Sequence, residues 1–124
     1  VNVLYVDDEG DLRELAQYSL ELDPKMRVTT VASGATALEH LRRAAVDVVL
    51  LDVMMPKMDG PAVLATLRAE IGANPPVIFV TARALPDERR RLLDLGALEV
   101  ITKPFDPTML AQDVRAALAG RHER

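Results

Sequence analysis

The run Val46-Asp47-Val48-Val49-Leu50-Leu51-Asp52 constrains what this chain can fold into more than any other stretch. A short segment rich in β-branched and leucine residues, with little alternation, fits a strand buried on both faces, as in the middle of a parallel sheet. It ends on one carboxylate, and Pro56-Lys57-Met58-Asp59-Gly60 beyond it is turn chemistry. A charge where a buried strand meets a loop is costly to desolvate, so the fold must bring compensating groups to Asp52.

The same grammar repeats along the chain. Asn2–Val6 is a short apolar strand ending on Asp7-Asp8, and a helix opens at Glu9-Gly10-Asp11 with Leu12, Leu15, Ala16, Ser19 and Leu22 at helical spacing. Pro24 stops it. Met26–Val31 alternates as a strand on the edge side of a sheet would, and Ser33 caps a helix with Ala37, Leu38, Leu41 and Ala45 on its apolar stripe. After the third strand, Asp59 caps and Gly60-Pro61 starts a helix carrying Val63, Leu64, Leu67 and Ile71. Val77–Val80 is a fourth buried strand ending on Thr81-Ala82. Pro86-Asp87-Glu88 then starts a helix with Leu92, Leu93 and Leu95 inward, closed by Gly96. Leu98–Thr102 is a fifth strand ending on Lys103-Pro104, and Pro107 starts a last helix with Leu110, Val114, Ala117 and Leu118 inward.

Five strands alternating with five helices predict an α/β fold, a doubly wound, flavodoxin-like parallel sheet, and the polar residues at the ends of strands one, three, four and five fit the order 2-1-3-4-5. In such sheets ligands bind beyond the carboxyl ends of the strands, where the strand order switches. Asp7, Asp8, Asp52, Thr81 and Lys103 all fall at that edge, whereas the second strand ends on nothing chemical.

Composition narrows the function. The chain has 124 residues, a net charge of −4 and no cysteine, so thiolate chemistry is excluded and direct binding of nucleic acid or an anionic membrane is disfavoured. No stretch approaches the ~18 apolar residues of a membrane span, so the expected location is the cytoplasm. Residues 1–124 read as one domain, and an opening on Val1 inside a strand suggests one trimmed from a longer chain.

Three carboxylates in one pocket repel unless a cation neutralises them, and oxygen-only ligands at a phosphate site suit Mg2+. A carboxylate is a competent nucleophile toward phosphorus, which makes Asp52 the expected carrier of a phosphoryl group. Lys103 offers a point charge to the phosphoryl oxygens. Thr81 offers a hydroxyl expected to be without a partner until that group arrives.

With Val-Asp-Asp at 6–8, Leu-Asp-Val-Met-Met-Pro-Lys-Met-Asp-Gly at 51–60, Val-Thr-Ala at 80–82 and Lys-Pro-Phe at 103–105, the chain resembles the receiver domains of bacterial two-component response regulators. The resemblance covers nearly the whole chain. It implies Asp52 as phosphoacceptor and Asp7, Asp8, Asp52 and the Met54 backbone carbonyl as Mg2+ ligands. It further implies Thr81 and Lys103 on the phosphoryl oxygens, and a cis Lys103–Pro104 bond. The phosphoryl donor would be a phosphohistidine on a histidine kinase or histidine phosphotransfer protein. A phosphorylation-linked homodimer through the fourth helix, fifth strand and fifth helix is a further possibility.

One position departs from that pattern. Many receivers carry a tyrosine or phenylalanine three residues before the lysine, and here Val100 stands there. Valine is short and stiff, so a ring-flip readout is not available. Met54 and Arg83, two positions after Asp52 and Thr81, are expected to overhang the phosphoryl group and slow its hydrolysis. Leu12, Pro104 and Phe105 are expected at the rim, docking the helical phosphodonor. Arg89-Arg90-Arg91 reads as a solvated or partner-facing basic face.

Two other functions compete. A small Mg-dependent aspartyl-phosphate phosphatase resembles Asp-x-Asp after the first strand, whereas here the acids are adjacent and the nucleophile is on the third. A degenerate receiver acting as a scaffold fits poorly with a complete set of phosphorylation residues. The expected role is therefore regulatory rather than enzymatic.

Overall fold

The computed structural model of the chain describes residues 1–71 and 74–122. The strands are β1 (Asn2–Val6), β2 (Arg27–Val31), β3 (Val48–Asp52), β4 (Val77–Thr81) and β5 (Glu99–Thr102). The helices are α1 (Gly10–Glu21), α2 (Gly34–Arg43), α3 (Gly60–Glu70), α4 (Pro86–Asp94) and α5 (Leu110–His122). All strand pairs are parallel, as the alternating pattern predicts, and their order, β2-β1-β3-β4-β5, is the one the polar strand ends point to.

The two-residue period of the strands divides the core into two layers. Leu4, Val6, Val49, Leu51, Val77, Phe79 and Val100 pack with Ala37, Leu38 and Leu41 of α2, Val63, Leu64 and Leu67 of α3 and Leu92 of α4. Val3, Tyr5, Val48, Leu50, Ile78 and Val80 pack with Ala16 and Leu20 of α1 and Leu110 and Val114 of α5. Every residue of β3 and β4 is buried, as expected of central strands covered on both faces. Each fully buried leucine or valine contributes about 1.5–3 kcal/mol relative to exposure.

Helix ends follow their local chemistry. Ser33 and Thr36 form a reciprocal capping box on α2, and the Asp59 side chain accepts from the Ala62 N–H at the start of α3. Gly96, at φ 107°, closes α4 in a conformation that disfavours residues with a Cβ.

Several expectations need correction. In α1 the buried stripe is Ala16, Ser19 and Leu20, while Leu15 and Leu22 are exposed. Leucines at 12, 15, 20 and 22 offer two faces of similar apolarity. Burial goes to the one whose small Ala16 and Ser19 let the helix lie close, and the Ser19 hydroxyl is satisfied by the Leu15 carbonyl at 2.7 Å. α2 ends at Arg43, leaving Ala45 exposed. Leu95 is exposed because it falls at the C-cap of α4. The last helix starts at Leu110 rather than Pro107. Asp106 first takes the Thr108 N–H and hydroxyl on its side chain, and its carbonyl takes the Met109 N–H. β2, β3 and β5 begin one to two residues later than expected, at Arg27, Val48 and Glu99.

Candidate functional site

Parallel register carries the ends of β1, β3, β4 and β5 to one edge of the sheet, with β1 and β3 adjacent where the order switches. Asp7 and Asp8 follow β1, Asp52 and Thr81 are the last residues of β3 and β4, and Lys103 follows β5. The backbone ties this edge together: the Lys103 N–H donates to the Thr81 carbonyl at 2.8 Å, and the Val53 N–H to the Val80 carbonyl at 3.2 Å.

Lys103 Nζ bridges two carboxylates, at 2.9 Å from Asp7 Oδ2 and 3.1 Å from Asp52 Oδ1. Asp7 is 0% exposed and Asp52 6%, while Asp8 faces solvent. One oxygen from each of the three aspartates can be chosen so that all lie within 4.8 Å of one another. Three carboxylates against one ammonium leave the cluster strongly negative, and its oxygen-only donors match the chemistry of a hard divalent cation such as Mg2+. Burial pushes the Asp52 carboxyl up to about 6, the Asp7 charge adds to that, and Lys103 pulls the other way. Burial would lower Lys103, but hydrogen bonds to Asp7 and Asp52 prevail and hold its ammonium above the ordinary range.

The loop after Asp52 is shaped by a close approach. The Gly60 N–H donates to the Val53 carbonyl at 2.9 Å, and a Cβ on Gly60 would lie 2.6 Å from the Asp52 carbonyl oxygen. Only glycine fits there. The cis Lys103–Pro104 bond expected from the resemblance is present.

Thr81 differs from expectation. Its buried hydroxyl is not without partners: Oγ1 accepts from the Arg83 N–H at 3.0 Å, and the hydroxyl donates over 3.4 Å to the Arg83 carbonyl. A residue two positions ahead of a threonine at a strand end closes a local turn of this kind, and the long donor contact leaves the proton weakly held. Met54 is 70% exposed, and the Arg83 guanidinium pairs with Glu88 at 3.5 Å. With Thr81 these residues line an open hollow above α3 and α4. Leu12 is half-buried and Pro104 exposed, but Phe105 is only 7% exposed, in the same cluster as Tyr5, Ile78 and Val80. Its ring underlies the rim and does not form it.

Val100 is buried with Phe79 and Leu92. Its carbonyl accepts from Arg89 Nη1 at 3.2 Å, and Arg89 also pairs with Glu99. Arg89 is therefore half-buried and engaged, unlike a freely solvated basic face; Arg90 and Arg91 are exposed.

Two residues at the site escaped the sequence reading. The Tyr5 hydroxyl donates to Asp7 Oδ2 at 3.1 Å, and Arg13 Nη1 donates to the Asp7 carbonyl at 2.8 Å. The signal for Tyr5 was its place two residues before Asp7, which puts both on one face of an extended chain. Burial, reinforced by Asp7, pushes the Tyr5 phenol far above its ordinary range, so it is a donor throughout the working pH range.

The family model described as the response regulator receiver domain matches residues 3–115. The transcriptional regulatory protein CseB of Streptomyces coelicolor is 38% identical over 117 residues, 94% of this chain and 49% of that protein. The chain thus spans about half the length of the curated relatives it matches. Among solved structures, the receiver domain of NarL from Mycobacterium tuberculosis superposes with a TM-score of 0.87 at 31% identity, covering 98% of both chains. The receiver domain of DrrB in its BeF3-activated form superposes with a TM-score of 0.81 at 26% identity, covering 95% of this chain and 97% of that one.

Proposed function

This chain belongs to the response regulator receiver domain family, and from that premise we propose that it is a phosphorylation-driven switch whose phosphoacceptor is Asp52. The observation that carries the reading is the bridge from Lys103 to Asp7 and Asp52, at 2.9 and 3.1 Å, at the point where the strand order reverses. An Asp52 carboxylate oxygen attacks the phosphorus of a phosphohistidine on a histidine kinase or histidine phosphotransfer protein. The new O–P bond forms as the P–N bond breaks and the imidazole leaves. Lys103 turns its charge to a phosphoryl oxygen, and Thr81 exchanges its long contact with the Arg83 carbonyl for a stronger one to another.

Asp7, Asp8, Asp52 and the Met54 carbonyl would hold Mg2+. The bound ion would neutralise charge on the phosphoryl oxygens during transfer. Met54 and Arg83, beside the site, would slow attack by water on the aspartyl phosphate. Leu12 and Pro104, with Phe105 beneath them, would receive the phosphodonor. Because the matched relatives are about twice as long, with names that describe transcriptional regulators, an output module joined to this domain is part of the proposal. With Val100 locked into the core, output through a ring flip is replaced by movement of α4 against β5. A homodimer through α4, β5 and α5 is one form that output would take. Among the described residues no helix is long and apolar enough to cross a membrane.

The test adds Mg2+ and beryllofluoride to the wild type and to Asp52→Asn and maps amide shifts. The wild type alone should respond, with shifts at Asp52, Thr81 and Lys103 extending into α4 and β5. Identical responses in the two proteins would sink the assignment.

A further inference from the structure

We propose that the Tyr5 hydroxyl is a positioning group for the acidic cluster, holding Asp7 in its ligating orientation and keeping it satisfied when Lys103 moves away. This rests on the metal reading above and assigns a residue to it. As a core side chain alone, Tyr5 would need no hydroxyl: its ring is buried with Val3, Leu50 and Ile78, where a phenylalanine would fill the same space. Its oxygen instead ends 3.1 Å from Asp7 Oδ2.

Asp7 has no solvent exposure, so its partners alone decide its orientation. The Glu9 N–H holds Oδ1 at 3.0 Å, while Tyr5 and Lys103 share Oδ2 at 3.1 and 2.9 Å. Among the described residues, Tyr5 and Lys103 are the only side chains that donate to the Asp7 carboxylate. Lys103 also bridges to Asp52, and it is the group that turns toward an arriving phosphoryl oxygen. When it turns, an acceptor buried without a donor would bear the full desolvation cost, and the fixed phenol on β1 prevents that. Partners of this kind, which orient a ligand without touching the metal, typically change metal affinity by a factor of ten or more when removed.

The experiment is a Mg2+ titration of the wild type and Tyr5→Phe, followed by amide shifts. A parallel series measures the initial rate of phosphorylation by a small acyl phosphate against Mg2+ concentration. Tyr5→Phe is expected to weaken Mg2+ binding about tenfold and to raise the half-saturating Mg2+ concentration likewise, with the rate at saturating Mg2+ close to wild type. Tyr5→Leu removes the ring as well and separates packing from positioning. It should lower the melting temperature yet weaken Mg2+ binding no further than Tyr5→Phe. A Tyr5→Phe protein that binds Mg2+ as well as or better than wild type overturns the positioning role, as does weakening confined to Tyr5→Leu. A wild type that takes up no Mg2+ at all overturns the metal reading and this role with it.

Discussion

Asp52 carries an electrostatic cost in the folded protein. Its carboxyl is pushed from 3.8 up to about 6, chiefly by burial, so ionising it at neutral pH opposes folding. For a group whose folded pKa is raised, the stabilising contribution is complete below the unfolded value and is lost as pH rises through the folded one. Without metal, Asp52→Asn should therefore be more stable than wild type at pH 8, by on the order of 2 kcal/mol. The gap should close as the pH falls below about 4, where both side chains are neutral. Urea melts of the two proteins at both pH values check this, and a gap that persisted at low pH would contradict it. Added Mg2+ should narrow the gap at pH 8. Met54 and Arg83 belong to the same scale. In a Met54→Ala, Arg83→Ala variant the aspartyl phosphate should hydrolyse faster, and an effect of about 1.4 kcal/mol on the barrier would read as tenfold. An unchanged phosphate lifetime would remove these residues from the reading.

The loop between β3 and α3 is where an element, not a single residue, sets the geometry. Its chain returns so close to the strand that Gly60 faces the Asp52 carbonyl, with the Val53 Cα and the Phe79 ring each at 3.0 Å from where a Cβ would sit. Two of those three neighbours are backbone atoms and cannot swing aside. Gly60→Ala should destabilise the fold by about 2 kcal/mol, as overpacking a close-packed site does, and should displace the loop that carries the Met54 carbonyl. Denaturant midpoints check the first effect and amide shifts of residues 53–59 the second. On the opposite edge, Arg89 joins α4 to β5 through Glu99 and the Val100 carbonyl. β5 is an edge strand, and the Glu99 carboxylate also accepts from the Val100 N–H at 2.9 Å, so the outward-facing groups of Val100 are both satisfied by side chains.

At the scale of the whole molecule, the helices divide between two layers of the core. α1 and α5 pack in one layer, with Leu12 in the first turn of α1, while α2, α3 and α4 pack in the other layer, which contains Val100. In the proposed switch, donor docking involves α1, and output involves α4 and β5. Leu12→Glu should slow phosphotransfer from a histidine phosphotransfer protein about tenfold, the scale of losing one interface anchor, and leave phosphorylation by a small acyl phosphate unchanged. Equal losses with both donors would assign Leu12 to the core instead.

The sequence by itself determined the strand count and order, the central place of β3, and the edge at which Asp7, Asp8, Asp52, Thr81 and Lys103 meet. Those follow from periodicity and from the rule that parallel strands expose their carboxyl ends together, both of which are local or topological. Tertiary structure decided which of two apolar faces α1 buries, that Phe105 lies under the rim, and that Arg89 holds the Val100 carbonyl. It also decided that Tyr5 and Lys103 meet on one oxygen of Asp7, although Lys103 and Asp7 are 96 residues apart. A pattern along the chain gives the face on which a side chain stands. The partner it finds there depends on how far neighbouring elements approach and how buried polar atoms are divided among the donors within reach, and only the packed structure settles both.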